Sequence, residues 1–543
     1  MHGSLATIRK IFHIGNGTIT VLITLIFLSI LSSFLEIFSI QYTQSLSDSI
    51  RASIVNNSFQ IAIVCGKFLL LIVCASIVRN FFCYKVSVFS NAIIKNIRNK
   101  AYSKMIEMEY ESVKKQDSAF YINMINNNVA RLDLIFSTSF FTLLSDIFDI
   151  VWICYFMIQI NIISLLILIA GIPFLILIGN SSASKQRMHA ENTIKLDKKL
   201  IEKINESNIN LSYIVLFGGR EREIERFNLI CSNIMENDNL SSAKLSTFFV
   251  VEKCVRYFFI TTSLFFLSRT VLLSGGDWTI IIPFFLYSQR FYSPFSNLNR
   301  YSQLIQKAVS SADKLIEFLN LKSSKNPSNI QVVENSSNSQ VVLTNLSKNY
   351  GSEKVLNDIS VNFVEGVNLI VGKSGVGKST LLKIILGLIK PLTGEVTIYS
   401  NSLKEHLFSY SGQANELFNL SIIENLIYPR NKDDLSHSEV VKIKGLLEEF
   451  GFKQSVLCKQ VDREGDNLSG GERKRLSVLR ALYFPSRIVI LDEPFANLDP
   501  ISIEIIVKKI EKVAKNKVVL IVSHQTVVPK SLKIDKRFTL NEW

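Results

Sequence analysis

Three stretches of this 543-residue chain carry residue types at spacings suited to phosphate chemistry. The first, "VNLIVGKSGVGKSTLLKIILGLI", reads as a strand, a glycine loop and a helix. Within it Gly372, Gly377, Lys378 and Ser379 satisfy GxxxxGK[ST]. Glycines let the backbone wrap a phosphate so that N–H groups and the helix N-terminus point at it. Lys378 adds a point charge at the outer phosphates, and the Ser379 hydroxyl reaches Mg²⁺. The second stretch, "RIVILDEP", delivers Asp492 and Glu493 to the carboxyl end of a strand, where α/β sheets hold ligands. Asp492 can join a Mg²⁺ shell, and Glu493 can polarise an attacking water. Such an acidic pair alone could equally be a helix cap; beside a phosphate loop the chemical reading dominates. The third, "DNLSGGERKRLSVLRAL", starts a helix with Ser469, Gly470 and Gly471 and offers amide N–H groups to a second anion.

The elements that hold these residues fall in the second half of the chain. From Val341 onward β-rich runs alternate with helical patterns, the mark of a mostly parallel α/β domain. The first ~290 positions are different: apolar runs there are long enough to cross a bilayer at roughly 20 residues each. Six spans are expected, at about 17–41, 59–82, 134–158, 160–180, 255–273 and 277–295. The Ser/Asn-rich stretch 321–340, with Pro327, reads as a linker. The domains are therefore 1–320, six transmembrane helices with cytoplasmic extensions, and 341–543, a nucleotide-binding domain.

The net charge of +14 invites a nucleic-acid partner, but the bases sit where positive-inside loops would place them. Lys85, Lys95, Arg98, Lys100, Lys104, Lys114 and Lys115 crowd one inter-span region, whereas "QIN" (159–161) and "LSGGDW" (273–278) are short and nearly uncharged. A lipid bilayer is the partner this implies, not nucleic acid, with both termini cytoplasmic. The two long connections keep helical periodicity without proline, so the membrane helices are expected to continue as stalks. Seven cysteines without a CxxC pair weigh against a zinc site or disulfide framework and are expected as buried thiols. The basic start resembles a signal peptide, but the run after it is too long and lacks a small-residue cleavage site.

In order and spacing these residues resemble the ATP-binding cassette family over essentially the whole chain. Tyr350 stands where the family stacks an aromatic on adenine, and Gln413 in "FSYSGQANELF" matches the glutamine that senses Mg²⁺ and the γ-phosphate. "LSGGE" is similar to the family signature, with Glu472 for the commoner Gln; "ANLD" resembles the D-loop, and His524 the switch histidine. The resemblance implies ATP and Mg²⁺ as ligands. ATP would be held by Tyr350, by the loop Gly372, Lys373, Ser374, Gly375, Val376, Gly377, Lys378, Ser379 and Thr380, and by Gln413. Mg²⁺ would be held by Ser379, Gln413 and Asp492, with Glu493, His524 and Gln413 in catalysis. It also implies a head-to-tail homodimer in which Ser469, Gly470 and Gly471 of one copy close on ATP held by the other.

The membrane half resembles the exporter type of this family: an all-α six-helix transmembrane domain followed by an α/β P-loop domain, in a bacterial inner membrane. Residues 108–133 and 208–227 resemble its two intracellular coupling regions, and Arg463-Glu464 reverses the usual order of a loop that touches them. Six spans exclude a soluble cassette protein of translation or repair. Export is favoured over import by family frequency alone. Small size and the lack of a peptidase-like segment before the first span lead to the expectation of a mature peptide of the bacteriocin kind as cargo, with lipid, lipid-linked sugar and drug as the alternatives. Asp146 and Asp149 share one face of the third span and Glu36 lies in the first. They are expected either to pair with Lys67 or lie near the headgroups, or else to form an acidic cavity wall that favours cationic or zwitterionic cargo.

Overall fold

The structure, a computed structural model, describes residues 2–53, 58–114, 116–275, 277–321, 330–334, 340–351, 353–373, 375–400, 406–414, 416–453, 460–462, 467–523 and 528–540. The chain divides into two compact units, Met1–Ile106 with Asp117–Leu321, and Glu107–Gln116 with Lys322–Trp543.

Six long helices build the first unit: α1 (Ile19–Ser53), α2 (Ser58–Glu107), α3 (Thr138–Ile160), α4 (Ile162–Ile209), α5 (Arg220–Ser274) and α6 (Ile281–Asn320). Among the described residues, four stretches are apolar enough by length and composition to cross a membrane: Ile19–Asp48, Ala62–Glu107, Phe120–Ile160 and Ile162–Ser182. The remaining two expected spans lie in α5 and α6 and carry Arg256, Arg269 and Arg290, which lowers their mean hydropathy. α2, α4 and α5 contain 50, 48 and 55 residues. At 1.5 Å per residue each runs roughly 70–80 Å, far beyond the ~30 Å of a hydrocarbon core, so the stalks are unbroken continuations of the spans.

The "QIN" link reduces to one extended residue. Asn161 breaks the helix at φ −165° and caps α4 by accepting the Ser164 amide at 3.0 Å. Small and polar groups lock the bundle where backbones approach. The Ser29 and Ser145 hydroxyls meet at 3.0 Å, and the Ser263 hydroxyl donates to the Ser164 carbonyl at 2.7 Å. At Gly171 a Cβ would stand 2.6 Å from the Tyr292 hydroxyl.

Two sequence expectations need correction. Among the described residues the cysteines are free but not buried: Cys65, Cys74 and Cys254 are exposed, and Cys83, Cys154 and Cys231 half-buried. Cys65, Cys74 and Cys254 sit on helices whose outward faces carry apolar side chains such as Leu69, Leu70 and Phe258, whereas Cys154 packs against the helical core. Cys458 lies outside the described residues. Lys67 is exposed and is not the counter-ion of the buried acids. Glu36 pairs with Arg79 at 2.6 Å and with Arg290, and Asp149 pairs with Arg290 at 3.0 Å. Lys67 lies three turns from Arg79 along α2, about 18 Å away.

The second unit holds two sheets. Strands β1 (Ile330–Glu334), β2 (Gln340–Tyr350), β3 (Glu353–Val364) and β5 (Thr393–Ser400) form one, in the order β1-β5-β2-β3, with β2 antiparallel to both neighbours. The other is wholly parallel: β6 (His406–Ser411), β7 (Ser486–Asp492), β8 (Val518–Ser523), β4 (Gly366–Val371) and β9 (Lys536–Thr539), in that order. Its central strands are buried on both faces and so read as continuous apolar runs. Alternate residues serve two cores. Leu369, Val489 and Ile521 pack with α8 (Gly470–Tyr483) and α9 (Pro500–Ala514); Ile370, Ile490 and Leu520 pack with α7 (Lys378–Ile385) and the first sheet.

β2 bulges around Asn345, whose φ is +48°, and the bulge presses the Thr344 and Asn345 carbonyls onto Gly394 at the start of β5. A Cβ at Gly394 would lie within 2.6 Å of both, at a φ of +83°. Gly394→Ala is therefore expected to destabilise the cassette by about 2–4 kcal/mol without touching the nucleotide residues. Thermal unfolding checks this; an unchanged midpoint would show that the bulge relaxes freely.

Candidate active site

β4 runs straight into the glycine loop, and α7 begins at Lys378. The loop needs glycine on physical grounds. Gly375 and Gly377 have φ of +84° and +96°, and a Cβ on Gly377 would meet Leu356 and Val355 at 2.9 Å. A Cβ on Gly372 would stand 2.7 Å from the Leu540 carbonyl. The Lys378 ammonium is turned into the loop, donating to the Gly372 and Lys373 carbonyls, each at 2.7 Å. Burial lowers its pKa, and Glu493 and Asp492 act the other way.

Asp492 ends β7 and is buried. Burial pushes its carboxyl above the ordinary range, Glu493 beside it adds to this, and Lys474, Lys378 and Lys383 oppose it. Glu493 follows in the left-handed region at φ +50°, its amide donating to the Val522 carbonyl at 2.8 Å. That turn takes Glu493 out of the strand just after the last β7–β8 pair, Asp492 with Val522.

A cavity of about 1110 Å³ gathers Tyr350, Ser379, Gln413 and Asp492, residues spread over more than a hundred positions of sequence. Tyr350 is half exposed at its rim, with the Lys348 ammonium 5.6 Å from the ring centroid. Tyr410 also lines the cavity, its phenol pushed up to about 12 by burial first and then by Asp492, so it stays neutral. The oxygen donors converging here, the Ser379 hydroxyl, the Asp492 carboxylate and the Gln413 amide, are hard ligands. Among the described residues no group of three or more His, Cys, Asp and Glu side chains could enclose a metal. That donor set fits Mg²⁺, which keeps waters and shares phosphate oxygens rather than filling an all-protein cage.

The other candidates are placed differently. Ser469, Gly470 and Gly471 open α8 and are absent from the cavity lining. Ser469 and Gly470 are exposed, with open space around the Gly470 Cα. Glu472 forms a capping box with Ser469: its carboxylate accepts the Ser469 amide and hydroxyl, both at 2.8 Å. The Ser469 amide is thus occupied, not bare as the sequence suggested. Thr380 lies in the first turn of α7, while Lys373 and Val376 lie within the loop. Ser374, His524 and Arg463-Glu464 lie outside the described residues.

The sequence reading missed two contributors. Lys474 looks like one more solvated base in "RKR", yet it is buried, and its ammonium donates to the Asp492 carbonyl at 2.9 Å. Burial lowers its pKa and the two carboxylates oppose this. The signal was helical spacing: Lys474 and Ser477 fall three apart, on the face that meets β6 and β7. The second contributor is Tyr110–Lys114, a short helix in the stretch that resembles a first coupling region. Tyr110 packs on the core beneath the first sheet, Glu109 pairs with Lys390 at 2.7 Å and Glu111 with Lys348 at 3.4 Å. Tyr110 and Glu111 also line the cavity shared by Tyr350, Ser379, Gln413 and Asp492.

A phosphate loop facing a buried aspartate across a parallel sheet, joined in one chain to six long helices, defines a membrane-embedded P-loop ATPase. Two family models match: the ABC transporter transmembrane region over residues 22–295 and the ABC transporter over residues 356–496. The chain belongs to the ABC transporter family, with membrane region and ATP-hydrolysing cassette fused. It is similar to the ATP-dependent lipid A-core flippase of Saccharophagus degradans, 24% identical over 477 residues covering 83% of this chain and 78% of that protein. The ATP-dependent lipid A-core flippase of Francisella novicida is 24% identical over 462 residues, 81% of this chain and 77% of that one. A solved bacterial Atm1-family ABC exporter with ATP bound shares the fold, with a TM-score of 0.75 at 16% identity over 96% of this chain and 93% of that structure.

Proposed function

We propose that this chain is one half of a homodimeric exporter in a bacterial inner membrane, with both termini cytoplasmic, residues 1–320 forming the cargo path and 341–543 the motor. The observation that carries the motor reading is the single cavity shared by Tyr350, Ser379, Gln413 and Asp492. ATP binding draws the Lys378 ammonium from the Gly372 and Lys373 carbonyls to the outer phosphates, while Tyr350 stacks on the base. Ser379, Gln413 and Asp492 would hold Mg²⁺, which would neutralise the phosphates. Glu493 takes the proton of the attacking water, and His524 and Gln413 sense the γ-phosphate.

Two features support the homodimer. The exposed start of α8 leaves Ser469, Gly470 and Gly471 free to close on a second copy's nucleotide. The second coupling region leaves a contiguous apolar end in water, with Leu216 and Phe217 exposed at 78% and 81%. Leu211, Tyr213 and Val215 are exposed beside them, a surface of the kind that a partner subunit covers.

The cargo is a small amphiphile, with a mature bacteriocin-like peptide as the first candidate. The names of the two flippase relatives favour a lipid as the second reading. Inside-out vesicles decide among these. ATP-dependent loading with labelled peptide is the expected result; ATP-dependent lipid flipping without peptide uptake selects the lipid. Loading of right-side-out vesicles alone would mean import.

A further inference from the structure

Within the helical unit a second cavity, of about 810 Å³, is lined by residues of α1, α2, α3, α5 and α6. Six of its residues are charged: Glu36, Asp146 and Asp149 against Arg79, Arg256 and Arg290, three acids and three bases. Four of the six neutralise one another. Arg79 holds one Glu36 oxygen at 2.6 Å, Arg290 bridges Glu36 to Asp149, and the Ser33 hydroxyl donates to Asp149 at 2.5 Å. This chain of pairs ties α2, α1, α6 and α3 together and leaves no net charge. An acidic wall is therefore not what the cavity presents.

What remains is one charge of each sign. Asp146, one turn from Asp149 on α3, accepts a hydrogen bond from the Tyr301 hydroxyl at 3.1 Å and has no cation within salt-bridge reach among the described residues. Arg256 on α5 is half-buried, and its guanidinium stands 5.8 Å from the Tyr257 ring centroid, with no carboxylate partner among the described residues. Charges kept at membrane depth without a counter-ion face a watery cavity and mark a site for a ligand. A volume near 810 Å³ is that of a small-molecule site.

We infer that this cavity binds the headgroup of a zwitterionic amphiphile, Asp146 taking its cationic group and Arg256 its anionic group. This rests on the export reading and names the cargo class within it. A purely cationic headgroup would leave Arg256 unpaired, and a purely anionic one would leave Asp146 unpaired. A headgroup with several phosphates would lack the surplus of bases it needs, because the other two arginines are already engaged.

The test is direct binding to the full-length protein of three amphiphiles with the same alkyl tail: a sulfobetaine, a trimethylammonium and a sulfate, each below its micellar concentration. The sulfobetaine is expected to bind at least ~10-fold more tightly than either singly charged probe, the loss expected when a buried charge goes unmatched. Asp146→Asn should erase its advantage over the sulfate, and Arg256→Gln its advantage over the trimethylammonium. Asp146→Glu and Arg256→Lys should keep the preference, and wild-type elution on gel filtration verifies folding of each variant. Equal binding of the three probes to the wild type would overturn the inference, as would an unchanged preference in both neutral variants. Because binding is read without ATP, failed transport with intact charge preference sinks the export reading and spares the site. Two further ligands identify the source: a labelled ethanolamine phospholipid and a short peptide with free termini. Saturable binding of either supports the site, and binding of neither counts against it.

Discussion

ATP turnover by Glu493→Gln is expected to fall at least ~10²-fold while the nucleotide remains bound, the contribution of a positioned general base. Glutamine keeps the length and hydrogen-bonding reach of the side chain and removes only its ability to take a proton. The backbone gives no reason for a wider defect: residue 493 already sits at φ +50°, and glutamine tolerates that region no worse than glutamate. The amide bond to the Val522 carbonyl survives the exchange. Asp492, whose ionised form Glu493 disfavours, should hold a cation more readily in the variant. Retention of labelled ATP after rapid gel filtration, together with phosphate release, measures both halves of the result. A variant that hydrolyses at near wild-type rate removes Glu493 from the base role. One that loses ATP binding as well shows that the substitution has damaged the site.

Much of this architecture was legible in the sequence, and the reasons are local. β4 and β8 read as strands because burial on both faces makes their apolar runs continuous, and the long helices because nothing interrupts their periodicity. Gly372, Gly377, Lys378, Ser379 and Asp492 stood out because a phosphate loop and its sheet impose fixed spacing. What escaped depends on distance in the chain. The first sheet is shaped by left-handed Asn345 meeting Gly394, a relation no periodicity encodes. Glu36 looked like part of an acidic wall because its partners Arg79 and Arg290 lie 43 and 254 positions away. Lys474 was hidden between two other bases, and Tyr110 is set in a segment that interrupts the membrane unit yet packs with the cassette.

The placement of the signature residues leads to the second large effect. Ser469 and Gly470 are exposed and do not line the cavity shared by Tyr350, Ser379, Gln413 and Asp492, and in the proposed homodimer they close on a second copy's nucleotide. Lys378→Ala removes the phosphate cation but leaves a sound signature. Ser469→Arg sets a bulky cation at the start of α8, where the capping box with Glu472 is also lost, but leaves a sound loop. Each homodimer should be nearly inactive, for opposite reasons. In a mixed dimer, isolated through two different affinity tags, one site combines both lesions. The other pairs the loop of the Ser469→Arg copy with the signature of the Lys378→Ala copy and is intact. That dimer is expected to hydrolyse ATP at least ~10-fold faster than either parent, because one general-base site of the ordinary kind is restored. Mixed dimers no faster than the mean of their parents would mean that each chain completes its own site. Activity in a purified wild-type monomer would say the same, and exposed Ser469 and Gly470 would then need another ligand.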